Sequence, residues 1–85
     1  MTSADVTLND LRRRINELDD ELVERIAERQ KLSREVARVK RSTGRATRDY
    51  EREREVIVAA RAKAEALGVP ADLAEELMRM LIRSS

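Results

Sequence analysis

Apolar residues recur along the first half of the chain at Leu8, Leu11, Ile15, Leu18, Leu22, Ile26, Leu32, Val36 and Val39, mostly in steps of three and four. Such steps place them on one face of a helix. Neither Pro nor Gly interrupts the stretch from Thr7 to about Arg41. At the rise of an α-helix, about 34 residues make a rod of about 50 Å. Two cations sit where an apolar residue is expected: at 100° per residue, Arg29 falls beside Leu11, Leu18 and Val36, and Lys40 in line with Leu22. Thr7 followed by Asp10 resembles a capping box with Asp in place of Glu, which predicts an N-cap at Thr7 and a disordered tail over 1–6. Arg38, Lys40 and Arg41 complement the negative end of the helix dipole, and Gly44 supplies a left-handed stop.

After a short connection at 44–48, the pattern predicts a second helix from near 47–49 to Leu67, ending at Gly68. Its apolar side is Tyr50, Val56, Ile57, Ala60, Ala64 and Leu67, with Glu53 at the centre and Asp49 leaning toward it. Pro70 suits the first turn of a third helix, where its missing N–H costs nothing, and that helix would bury Leu73, Leu77, Met80 and Leu81. The fold class is all-α, with one long and two shorter helices forming a single domain over 7–85. Three helices of this size enclose little core. A second copy is therefore expected to complete it, as a two-fold homodimer with the long helices entwined.

Composition narrows the chemistry. The 85 residues include no Cys and no His, which removes disulfides, thiolate metal sites and the commonest general base. One Tyr is the sole aromatic, so stacking platforms for single-stranded nucleic acid are missing. Charged residues make up 41% of the chain but nearly cancel, at net +1, and form no basic block that would mark a nucleic-acid partner. No signal peptide or membrane span is evident, so a cytoplasmic protein without membrane partners is expected.

Most charges have a partner one turn away. Arg13 has Glu17, Arg14 has Asp10, Lys31 has Glu35 and Arg25 has Glu21. Arg29, Lys40 and, nearer the stripe's edge, Arg12 have none at those spacings. An uncompensated cation in an apolar seam is costly, so something anionic should meet them. Glu53 could pair with one as a packing device, but it cannot neutralise all three. A bound anion is the fuller account. Arg29 and Lys40 lie eleven residues apart, about 16 Å along the axis, and side chains reaching inward leave a gap suited to a small molecule. Arginine's fork suits carboxylates and lysine offers a compact donor, which together fit a small dianion with one more oxygen acceptor.

Leu11-Arg12-Arg13-Arg14-Ile15-Asn16-Glu17-Leu18-Asp19, then Arg29, Lys40 and Arg48-Asp49-Tyr50-Glu51-Arg52-Glu53, resemble the all-helical chorismate mutases in order and spacing over nearly the whole chain. The resemblance implies an entwined dimer of three-helix chains that turns chorismate into prephenate by a Claisen rearrangement. It implies no cofactor, metal or covalent intermediate. Arg29 and Arg12 of the partner subunit would hold the two carboxylates, and Lys40 would serve the ether oxygen. Glu53 and the backbone at Asp49 would fix the ring hydroxyl, with Arg52 nearby. An ungapped match places the family's helix-three serine at Ser85, with Ser84 one position away. The glutamine that family members usually carry one turn further on, as a second donor to the ether oxygen, is absent from the sequence. That absence leads to the expectation of a longer or fused enzyme, or of an associated pathway enzyme that completes the site. Two other readings stay open: isochorismate pyruvate lyase of the same fold, which the Arg48-Asp49 to Arg52-Glu53 segment disfavours, and a non-catalytic helical dimerisation module.

Overall fold

The computed structural model describes residues 2–44 and 48–85. Thr47 and the middle of the expected connection lie outside them. Regular structure among the described residues is entirely helical: α1 (Ser3–Thr43), α2 (Tyr50–Leu67) and α3 (Ala71–Ser84). No helix of the described residues is long and apolar enough to cross a membrane.

α1 starts earlier than the Thr7 cap expected from the pattern. Thr2 and Asp5 form the capping box instead: Asp5 Oδ2 accepts from the Thr2 N–H at 3.2 Å and from its hydroxyl at 2.8 Å, while the Asp5 N–H donates to Thr2 Oγ1 at 3.2 Å. Those bonds hold the Asp5 carboxyl below its ordinary pKa. The Thr7 hydroxyl donates back to the Ser3 carbonyl at 2.9 Å, the bond of a threonine inside a helix. At the other end, Ser42 and Thr43 bond back to the Val39 carbonyl, and Gly44 takes φ of 73°.

α2 starts at the C-terminal edge of the expected 47–49 range, capped by Asp49, and stops at Gly68 as expected. Asp49 Oδ1 accepts from the Arg52 N–H at 3.0 Å in extended backbone, and Gly68 closes the helix in the left-handed region with φ of 74°. The Gly68 N–H reaches Glu65 O and the Val69 N–H reaches Ala64 O, the paired bonds of a Schellman stop. Pro70 follows as the residue before α3, with its carbonyl accepting from Leu73 and Ala74.

Two compact units divide the chain, Met1–Lys31 and Leu32–Ser85. The first is a stretch of α1 alone. In the second, α2 and α3 pack on one another. The buried apolar residues among those described are Ile57 at 8% and Ala64 at 5% exposure, both on α2. This corrects the expected burial of Leu73, Leu77 and Met80, which remain exposed or close to it. A 14-residue helix against an 18-residue one covers a narrow strip, and residues at the strip's flanks stay in water. The stripe on α1 is bare in the same sense: Leu18 is 63% and Leu32 65% exposed, and α1 holds no buried residue.

The ion pairs also differ from the turn-spaced set expected. Arg13 pairs with Asp10, Arg25 with Glu28 and Glu35 with Arg38, each three residues apart, rather than with Glu17, Glu21 and Lys31. All are exposed side-chain pairs, so each contributes little. The cross-helix pairing is more consequential. Arg61 of α2 donates to Asp72 at 2.8 Å and Glu75 at 2.9 Å on α3, and Arg79 donates to Glu75 at 2.9 Å. Hydrogen bonds from Arg79 and Arg61 hold the Glu75 carboxyl below its ordinary value of 4.5. A carboxyl depressed in the folded state stabilises above its unfolded pKa and loses that contribution as pH falls through the folded one. The wild-type melting temperature should therefore drop as pH falls below 4.5. Glu75→Gln should melt lower near neutrality and show a shallower acid dependence, measured by circular dichroism from pH 3 to 7.

Candidate functional site

The first turn of α2 and its cap gather three of the site residues marked in the sequence, Asp49, Arg52 and Glu53, with Arg48 and Tyr50 beside them. Asp49 is occupied as the cap. Its main-chain carbonyl accepts from the Glu53 N–H at 3.0 Å and its side chain from Arg52, so the backbone here is fixed from both ends of the turn. The Arg52 guanidinium points along the helix to Glu55, at 3.4 Å. Glu53 is held by Arg48 through two parallel bonds: Nε to Oε2 at 3.0 Å and Nη2 to Oε1 at 3.1 Å. This raises the Arg48 pKa above its ordinary value, chiefly through the hydrogen bond to Glu53. The Arg48 guanidinium also lies 4.5 Å from the centre of the Tyr50 ring.

Within the Leu32–Ser85 unit, Glu53 is thus engaged by Arg48 and, among the described residues, not by Lys40. Among the described residues no carboxylate pairs with Lys40, which is half-buried in the last turn of α1. Arg29, in the Met1–Lys31 unit, is also half-buried, and its Nη1 is shielded from solvent with no hydrogen-bond partner among the described residues. A buried guanidinium N–H without an acceptor is among the more costly states a side chain can hold. Arg12 lies on the same stretch of α1, exposed, and forms no ion pair among the described residues. Seventeen residues separate it from Arg29, about 26 Å of helix, too far for both side chains of one chain to grip a single small anion.

Ser85 closes α3. Its hydroxyl donates to the Ile82 carbonyl at 2.9 Å and it stays exposed. No group of three or more carboxylates among the described residues is placed to hold a metal ion. Arg48 is the residue that site reasoning from the sequence passes over. It stands outside the helix and five residues from Glu53, a spacing that no search for i,i+3 or i,i+4 partners returns.

A three-helix, all-α module with cations left unmatched on its long helix is the class these features define. The sequence model of the chorismate mutase type II family matches residues 11–85, and the chain belongs to that family. Two curated relatives carry the name T-protein, one from Haemophilus influenzae and one from Enterobacter agglomerans. Each is 40% identical over 78 residues, covering 92% of this chain and 21% of the relative. The chain therefore spans about a fifth of the length of these relatives, in which the matching segment is part of a longer protein. No solved structure matches it. The family's enzyme class is that of an isomerase, chorismate mutase, acting in aromatic amino acid biosynthesis.

Proposed function

We propose that the chain catalyses the Claisen rearrangement of chorismate to prephenate, as a single catalytic module over 7–85 that works as a homodimer in the cytoplasm. The orphaned Nη1 of Arg29 is the observation in this structure that carries the reading. A half-buried guanidinium with one shielded N–H unmatched among the described residues suits an anion, and a carboxylate supplies matching oxygens. With Glu53 held by Arg48, the positive charge of Arg29, Lys40 and Arg12 remains for a substrate carrying two carboxylates.

Following the family's pattern, Arg29 and Arg12 of the partner subunit hold those carboxylates, and Lys40 donates to the ether oxygen. Glu53 and the Asp49 backbone take the ring hydroxyl, with Arg52 nearby and Ser85 at the end of α3. The reaction breaks the ether C–O bond while the enolpyruvyl methylene forms a C–C bond to the ring, within one molecule and with no atom lost. Holding the arm over the ring contributes up to about 7–11 kcal/mol in the best intramolecular cases. A donor set at the oxygen where negative charge develops adds about 3–4 kcal/mol.

The dimer follows from the bare stripe on α1. Fully burying a large apolar side chain contributes about 1.5–3 kcal/mol, so covering the half-exposed residues along the whole stripe is on the scale of the roughly 4–15 kcal/mol cost of association. A longer or associated pathway enzyme is compatible with the length of the T-protein relatives and would supply the second donor to the ether oxygen. Incubating the purified protein with chorismate should give loss of its absorbance and appearance of prephenate. Release of pyruvate from isochorismate would favour the lyase instead, and inertness toward both would leave a dimerisation module.

A further inference from the structure

We propose that Arg48 is a positioning residue for Glu53: its fork fixes the carboxylate that meets the ring hydroxyl and keeps that carboxylate from the anion-binding cations. The inference deepens the mutase reading and rests on it. Glu53's side chain is recessed, 24% exposed, whereas Arg48's is 60% exposed, so the arginine reaches in from the solvent side to a sheltered carboxylate. Two features restrain that reach. The Asp49 cap, accepting from the Arg52 N–H, fixes the backbone next to residue 48, and the Arg48 guanidinium lies 4.5 Å from the centre of the Tyr50 ring.

The contact geometry leaves room for a ligand. A fork that meets both carboxylate oxygens, at 3.0 and 3.1 Å, engages one acceptor site on each. The remaining sites can accept a hydroxyl while the group stays anionic and fixed in direction. An unheld glutamate anion would swing toward any nearby cation, and in the mutase reading those cations are the ones the dianion needs. One arginine thus orients the acceptor and preserves the charge of the binding site.

Four variants test this: Arg48→Met, Arg48→Lys, Glu53→Gln and the Arg48→Met/Glu53→Gln double. Each is assayed with chorismate and with an analogue lacking the ring hydroxyl, and helicity and melting are followed by circular dichroism. For chorismate, Arg48→Met should lower kcat/KM about tenfold, the scale of one charge-assisted contact. Arg48→Lys, which keeps the charge but not the fork, should recover only part of the loss. The double variant should be no worse than Glu53→Gln alone. With the analogue, Arg48→Met and wild type should be alike, a selectivity that a merely structural arginine would not produce. If Arg48→Met loses helicity, Arg48→Gln carries the same comparisons. Wild-type conversion of chorismate with an unimpaired Arg48→Met overturns the inference alone. So do multiplying losses in the double variant, or an equal loss with the analogue. A wild type inert toward chorismate overturns the mutase reading and this inference together.

Discussion

Replacing Lys40 with alanine should lower kcat by about two decades or more while KM changes little and the proposed dimer persists. Lys40 is assigned to the ether oxygen, which is nearly neutral in chorismate and gains charge only as the C–O bond opens. An interaction made mainly in the transition state appears in kcat, and about 3–4 kcal/mol of it corresponds to two to three decades. The structure separates this loss from damage to the fold. Lys40 has no carboxylate partner among the described residues, so alanine there strands no anion, and alanine is the better helix former. Helicity and melting temperature should hold or rise. Size-exclusion chromatography beside steady-state kinetics checks both halves, and near-normal turnover by the variant would remove Lys40 from the reaction.

The helical architecture is legible in the sequence because its punctuation is local. Gly68 needs a left-handed φ and Pro70 lacks an N–H, and each acts within a few residues of itself. Asp49 caps α2 for the same reason. The start of α1 is ambiguous by its own chemistry. Thr2 with Asp5 and Thr7 with Asp10 have the same spacing, and the upstream pair adds another turn of backbone hydrogen bonds once formed. The exposed Leu73, Leu77 and Met80 illustrate a different limit. Periodicity identifies an apolar face, but what covers it depends on a surface elsewhere. Site residues divide along the same line. Arg29 and Lys40 stand out because they break an apolar period. Arg48 breaks none, and its pairing with Glu53 depends on how the chain enters α2 at the Asp49 cap.

The Arg12 assignment gives the other large effect, and one that only an intersubunit site can produce. On α1 the 26 Å or so between Arg12 and Arg29 prevents one chain from bringing both to the same small substrate, so in the proposed function Arg12 serves a site built on a second chain. Arg12→Ala should then abolish most activity, with kcat/KM down about two decades for loss of a charged contact to a substrate carboxylate. Arg12 is exposed and forms no ion pair among the described residues, so folding of the variant should be unaffected. Mixing it with Lys40→Ala through unfolding and refolding should restore activity. A mixed dimer combines both lesions at one site and leaves the other intact, with Arg12 from one subunit and Lys40 from its partner. Random pairing makes half the dimers mixed, each with one working site of two, so recovery should approach about a quarter of wild-type activity. If Arg12 served its own chain's site, every site in the mixture would carry one lesion, and refolding would recover nothing.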